Sequence, residues 1–252
     1  MEKKVNFYSV IIGTELLNGR RNDAHFSFLN KQLLQRGWEQ KASFVINDDP
    51  KLMFDIFTLI KSDPNSVMFC FGGIGATPDD YTREVAGKVF TNGKMEFHEE
   101  AKNRIINQFG DEAFPHRINM AYLPINAKLL TNVVNNVAGF YLEDRFFFTP
   151  GFPSMSQAMV IEALDLLYPK SIVTKYKRVL TVNASENDLI DTMKKMPEHL
   201  DFASLPKIIG QDRKVVISLA GYDKDEVDGY FQLFIDFCEK FGKEYILKDI
   251  NF

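Results

Sequence analysis

Two adjacent carboxylates, Asp79 and Asp80, stand between two hydroxyls, Thr77 and Thr82, directly after the glycines Gly72, Gly73 and Gly75. An acid pair on a sterically open loop can hold a hard divalent cation, Mg²⁺ for example, and leave coordination sites for water and substrate phosphates. Such a site would suit pyrophosphate hydrolysis, the metal neutralising developing charge and activating water. The same residues allow a plainer arrangement, with Asp80 capping the next helix and Asp79 solvated. A third acid, Glu15, follows the first apolar run in Gly13-Thr14-Glu15-Leu16-Leu17-Asn18-Gly19-Arg20. It either joins the acid pair across neighbouring strands or caps a helix in a solvated loop. The glycine spacing, with no following Gly-Lys-Ser/Thr, excludes a P-loop. A third turn, Thr149-Pro150-Gly151-Phe152-Pro153-Ser154, precedes a helix that Ser154 is placed to cap. A backbone fixed ahead of a helix N-terminus is a natural anion site; a plain strand-to-helix turn has the same composition.

Other chemistries find less support. The four histidines, His25, His98, His116 and His199, show no metal-ligand spacing, and only His25 falls in a loop-to-helix region beside a candidate site. There is no GxSxG elbow. Cys70 and Cys238 each lie in an apolar run, the pattern of buried free thiols in a reducing compartment. A net charge of −4 gives no footprint for nucleic acid or an anionic membrane. No apolar run approaches the ~20 residues needed to span a bilayer, nor the form of a signal peptide. The expectation is a cytoplasmic protein, with neither nucleic acid nor membrane as partner.

The elements that must position these groups alternate. Val5–Ile12 and Val67–Phe71 read as buried strands, and Trp38–Ile46 as a strand between them. Between and after them, Asp23–Arg36, Lys51–Lys61 and Tyr81–Phe90 read as helices. Asp23 is placed as an N-cap with Phe26, Leu29 and Leu33 on one face, and Leu52, Phe54, Ile56, Leu59 and Ile60 are expected to face largely inward. This β-α order predicts an α/β fold with a mostly parallel sheet, whose ligands gather at the carboxyl ends of the strands. Further on, Glu96–Phe109 reads as a helix, 110–117 as a loop and Lys128–Leu130 as a short strand. Phe140–Leu142 and Phe146–Phe148 read as an aromatic hairpin, and Met155–Tyr168 as a helix. A proline followed by basic and small residues across 169–177 marks a boundary, giving domains at 1–170 and 175–252. The second, smaller domain reads β-α-β-β-α, an α+β pattern without a glycine loop or acid pair.

With those motifs in hand, the chain resembles a known family. Gly72-Gly73-Ile74-Gly75-Ala76-Thr77-Pro78-Asp79-Asp80-Tyr81-Thr82 is similar to the signature of the MoaB/Mog molybdopterin-binding domain, and most to the competence-damage-inducible protein A (CinA) branch. The GDELLxG of that branch is matched by Gly13 to Gly19, and its PGxPxEM turn by Pro150 to Met155. The resemblance implies a three-layer α/β/α domain binding a small phosphorylated ligand, a pterin such as molybdopterin or a nucleotide. The 178–252 part resembles, in size and pattern, the small domain that follows in CinA-like proteins.

For the CinA branch the resemblance implies divalent-metal-dependent (Mg, Mn or Co) hydrolysis of ADP-ribose or a similar dinucleotide. Gly72, Gly73 and Gly75 would then admit phosphates, and Thr77 and Thr82 would donate hydrogen bonds. Asp80, with Asp79 and Glu15, would hold the metal or position water, and Pro150, Gly151, Pro153 and Ser154 would close the site beside Gly13 and Thr14. A homo-oligomer is implied on the same ground. Two departures bear on catalysis. The family's Asp in GDEL is Thr14, and its D-T-N is Asp23-Ala24-His25. A binding protein without hydrolysis is the alternative these departures raise. The chain ends at Phe252, so the amidase domain of many CinA proteins, and its deamidase activity, are not expected.

Overall fold

The computed structural model describes residues 5–170, 175–209 and 212–248, which divide into two compact units, Met1–Ser171 and Ile172–Phe252. The first unit opens with β1 (Asn6–Ile12), a one-turn helix α1 (Thr14–Leu17), α2 (His25–Gln35), β2 (Gln40–Ile46), α3 (Pro50–Ser62) and β3 (Ser66–Phe71). After the glycine loop come α4 (Thr82–Phe90), β4 (Met95–Phe97), α5 (Glu99–Phe109), and two 3₁₀ turns at Gly110–Ala113 and Arg117–Ala121. Then follow β5 (Tyr122–Pro124), β6 (Lys128–Leu130), β7 (Gly139–Leu142), β8 (Phe146–Thr149) and α6 (Pro153–Leu167).

The six-stranded sheet runs β2-β1-β3-β8-β7-β6. The pairs β1·β2, β1·β3 and β3·β8 are parallel, while β8·β7 and β7·β6 are antiparallel, so β7 alone opposes the rest. Strand alternation splits the core into two layers. Tyr8, Val10 and Ile12 of β1 meet Met53, Phe57 and Ile60 of α3 and Val85 and Val89 of α4, on one face. Phe7 and Ile11 meet Leu29 and Leu33 of α2 and Met159 and Ala163 of α6, on the other. Both sheet faces are covered, which is why these strands read as continuous apolar runs.

The aromatic hairpin supplies much of both layers. Phe147 stacks on Phe69 at 4.7 Å between centroids, and Phe148 on Phe140 at 4.6 Å. Truncating one such fully buried ring to Ala typically costs about 3–5 kcal/mol. Glu143 and Asp144 both take positive φ, 53° and 56°, which lets so short a turn follow the twist of its strands.

Two helix faces differ from the sequence reading. Phe26, Leu52, Phe54 and Leu59 point outward, between 37% and 58% exposed, and α3 instead buries Met53, Phe57 and Ile60. Both helices are rich in apolar residues, so several stripes compete, and contact with the sheet selects the one spaced at four and three. Residues 95–97 form a short strand paired with β5 rather than helix, and His98 caps α5 by accepting from the Ala101 N–H.

The second unit contains β9 (Tyr176–Val182), α7 (Glu186–Met193), β10 (Asp201–Ile209), β11 (Asp212–Gly221), α8 (Lys224–Lys240) and β12 (Tyr245–Ile246). Its sheet, β10-β11-β9-β12, is antiparallel throughout. Val215, Ile217 and Leu219 alternate toward Val227, Phe231 and Phe234 of α8, so one face carries the core. Ser185 and Asp188 form a reciprocal capping box that starts α7. Cys70 and Cys238 are both buried free thiols. Among the described residues, no helix is long and apolar enough to cross a membrane.

Candidate functional site

Parallel pairing places the ends of β1, β3 and β8 side by side, and each is followed by glycine: Gly13, Gly72 and, after Pro150, Gly151. These glycines permit close backbone approach. A Cβ on Gly72 would lie 2.6 Å from the Ile12 carbonyl oxygen, and one on Gly151 would lie 3.3 Å from the Gly72 Cα. Gly72 also has a φ of 103°, which side-chain-bearing residues rarely adopt. The Gly72 N–H donates to the Thr149 carbonyl at 2.9 Å, tying the β3 and β8 ends together. On the other side, the Gly13 N–H donates to the Ile46 carbonyl at 3.0 Å.

The glycine loop is braced from within. Thr82, with 0% exposure, donates its hydroxyl to the Gly72 carbonyl at 2.9 Å, and its N–H donates to the Gly73 carbonyl at 3.0 Å. The Arg83 guanidinium donates to the carbonyls of Ile74 and Gly75. Thr77 donates its N–H and hydroxyl to Asp80 Oδ2, and the Asp80 N–H returns a bond to the Thr77 carbonyl. Four successive carbonyls, Gly72 to Gly75, are therefore satisfied. The N–H groups of Gly73, Ile74, Gly75 and Ala76 have no acceptor among the described hydrogen bonds. Loop carbonyls turned inward leave donors for an outside acceptor, the arrangement of an anion nest.

The acids do not gather. Asp80 is folded back on Thr77, so it does not cap α4, whose N-cap is Tyr81 without a side-chain bond. Asp79 is exposed at the outer end of the loop. Hydrogen bonding with the Thr77 hydroxyl and with its own amide holds its carboxyl below the usual range. The Thr77 hydroxyl has one proton and can serve only one of the two acids at a time. Glu15 lies in the first turn of α1, 3.7 Å from Arg21, and a Cβ on Gly13 would collide with its carboxylate. Among the described residues no three His, Cys, Asp or Glu side chains converge to hold a metal ion. The expected Glu15, Asp79 and Asp80 trio is not assembled, because each acid already has its own local partner or faces water.

Thr14 is less of a loss than the motif comparison implies. Its N–H and hydroxyl both donate to Asp48 Oδ2, at 2.9 and 2.7 Å. A carboxylate thus stands beside position 14, supplied by the end of β2. Asn47-Asp48-Asp49-Pro50 has the composition of an ordinary turn; the rule that singles out Glu15, that residues just past parallel strands face the ligand edge, also selects Asp48. Asp49 instead caps α3, accepting from the N–H groups of Lys51 and Leu52.

The remaining expected residues flank this edge. Arg21 lies over the Phe152 ring at 5.6 Å, joining the first loop to the third turn. Pro153 occupies the first turn of α6 and Ser154 is exposed without a capping bond, contrary to the expected cap. Proline at the start of the helix supplies the fixed φ and needs no N–H acceptor, so the helix begins one residue before Ser154.

Asp23 accepts from the N–H groups of His25 and Phe26 and so holds the start of α2. His25 is 4% exposed, packs on the Phe71 ring at 4.7 Å, and pairs Nδ1 with Asp23 at 2.9 Å. Burial lowers its pKa against the opposing pull of Asp23, so the ring is neutral at pH 7. His25 Nε2 and Ser156 Oγ are buried without a hydrogen-bond partner. His25 abuts the residue preceding Gly72, and Ser156 lies in the first turns of α6.

Residues 9–168, which contain the glycine loop and its flanking turns, match the family described as "Probable molybdopterin binding domain". A protein of Caldivirga maquilingensis is 29% identical over 240 residues, 88% of this chain and 91% of that one. A CinA-like protein of Geotalea uraniireducens is 30% identical over 175 residues, 66% of this chain but 40% of its own length. The crystal structure of the CinA protein from Thermoplasma acidophilum matches with a TM-score of 0.58 at 24% identity, covering 64% of this chain and 97% of that one, a likeness of fold. The chain belongs to the molybdopterin-binding domain family, with CinA-like proteins among its relatives.

Proposed function

We propose that the carboxyl edge of the six-stranded sheet binds a small phosphorylated ligand, a pterin of the molybdopterin type or a nucleotide, with its phosphate on the loop from Gly72 to Ala76. The observation that carries this reading is the row of free N–H groups from Gly73 to Ala76 over carbonyls already bonded to Thr82 and Arg83. Such a row is ready for phosphate oxygens, and glycine at 72, 73 and 75 lets them approach without side-chain contact. Gly13, Thr14, Pro150 and Gly151 bound the same edge. For molybdopterin itself this cradle fits the phosphate end, and the loop's part is to bind and orient it. The test is equilibrium binding of ADP-ribose and neopterin phosphate to wild type and to Gly73→Ala, whose Cβ would meet the Thr82 hydroxyl. Binding by wild type and its loss in the variant support the reading; no binding by wild type sinks it.

Hydrolysis of ADP-ribose or a related nucleotide is the second reading. Asp79 favours it: an exposed carboxylate at the loop tip, next to the free amides, can accept a hydrogen bond from an attacking water and orient it. Among the described residues the carboxylates do not form a three-acid cation site for Mg²⁺, Mn²⁺ or Co²⁺. Incubation with ADP-ribose, with and without each cation, decides: no turnover, or turnover unchanged in both Asp79→Ala and Asp80→Ala, refutes it. The homo-oligomer implied by the resemblance is a proposal that light scattering tests directly.

A further inference from the structure

Beyond the tip of the glycine loop lies a cleft of about 650 Å³. One wall is the loop itself, at Ala76, Thr77 and Pro78; the other is the pair of 3₁₀ turns between α5 and β5, at Glu112, Phe114, His116 and Arg117. These turns are anchored by small and apolar side chains, Ala113 at 0%, Ile118 at 9% and Ala121 at 0% exposure. That anchoring holds the intervening residues up from the core, and Phe114 is left 56% exposed. The Arg117 guanidinium is fixed from two sides, lying over the Phe109 ring at 4.6 Å and donating to the Glu112 carbonyl and carboxylate at 2.9 and 2.8 Å. An oriented Arg117 paired with Glu112, an uncovered aromatic ring and the Ala76 end of the free-amide row thus border one space.

We propose that this cleft is the subsite for a planar heterocycle, with Phe114 as the stacking platform and Arg117 directed at the ligand's negative charge. The inference rests on the reading of the glycine loop as a phosphate site, because it places the ring of the same ligand one loop-length further out. Adenine and pterin rings share the required chemistry, a flat π-face joined to a phosphate. Loss of stacking on an aromatic side chain weakens binding by about tenfold or more.

The experiment compares adenosine 5′-phosphate, neopterin phosphate and ribose 5-phosphate by titration calorimetry. Wild type is expected to bind at least one ring-bearing ligand about tenfold more tightly than ribose 5-phosphate, and the ligand preferred identifies the heterocycle. Phe114→Ala is expected to erase that preference while still binding ribose 5-phosphate, and Phe114→Tyr, which keeps a ring, to retain it. Phe114 is too exposed for its loss to unfold the chain, and an unchanged Tm verifies this. Equal binding of the ring-bearing ligand by wild type and Phe114→Ala overturns the inference and leaves the phosphate site standing. Failure of wild type to bind any of the three overturns the phosphate site, and this inference with it.

Discussion

The two edges of the six-stranded sheet use similar polar groups in opposite ways. At the amino edge, Asp63 is closed on every side. Its carboxylate accepts from Asn6 at 2.7 Å, the Tyr8 hydroxyl at 2.9 Å, Lys41 at 3.1 Å and the Asn65 N–H at 3.0 Å. At the carboxyl edge, the corresponding groups are left partly open: free loop amides, an exposed Asp79, a loosely paired Glu15 and a buried imidazole nitrogen with no partner. A polar group that finds its partner during folding adds stability; one left unpaired costs it. Unpaired buried atoms occur at both edges, Gln40 Oε1 and Arg145 Nε at the amino one, so what sets the carboxyl edge apart is its row of free backbone amides, which a ligand could engage.

Four substitutions would break or sharpen this contrast. The largest effect is expected from Gly72→Ala, which meets both the Ile12 carbonyl at 2.6 Å and a φ of 103°. It should lose about 2–4 kcal/mol in urea unfolding together with all ligand binding, since the β3 end and the loop share this residue. Asp63→Ala should cost about 2 kcal/mol and leave binding intact, because every partner it strands lies at the far edge.

Burial alone would raise the Asp63 pKa, but the hydrogen bonds from Asn65, Asn6, Tyr8 and Lys41 outweigh it and hold the carboxyl well below its usual range. Its contribution is therefore present above about pH 4 and lost as pH falls below that. In Asp63→Ala this acid limb should flatten in a pH series of unfolding midpoints.

His25 gives a smaller effect at higher pH. Burial depresses its pKa below the ordinary histidine value, so the unfolded chain takes up a proton before the folded one does. Stability should hold above about pH 6.5 and fall as pH drops from there. His25→Leu should remove that slope with little loss at pH 8, because an apolar side chain strands no Nε2. If ligand binding also drops in this variant, Nε2 belongs to the open edge; unchanged binding assigns it to packing. Thr14→Ala should be the mildest, costing within about 1 kcal/mol for an exposed bond. It should still weaken binding if Asp48 must be held in place.

The fold was readable where one signal dominated. Val67–Phe71 followed by glycine could only be a buried strand turning sharply, and the parallel order set the β1 loop beside it, whereas only the family resemblance brought in the turn after Phe148. Reading failed where neighbours in space decide. Asp48 looked like an ordinary turn residue because its link to Thr14 depends on β1·β2 pairing, which residue spacing does not reveal. The outward faces of Leu52, Phe54 and Leu59 were misassigned because α3 is apolar on more than one side. The acid pair read as a unit, yet Asp80 receives both the N–H and the hydroxyl of Thr77 while Asp79 stays exposed. The 3₁₀ turns were invisible as elements, since Ala113, Ile118 and Ala121 follow no helical or strand period.

Arg83 sets a condition on whatever the loop receives. Its partly buried guanidinium is bonded to the carbonyls of Ile74 and Gly75, in the same loop as the unpaired amides. Although burial lowers its pKa, an arginine keeps its proton through the working range of a cell, so the field behind the loop does not switch with pH. Salt ions also approach it poorly compared with a surface charge such as Arg117. The loop therefore behaves as a permanent anode: raising ionic strength should erode the Arg117 contribution to binding first and leave most of the phosphate's own affinity in place.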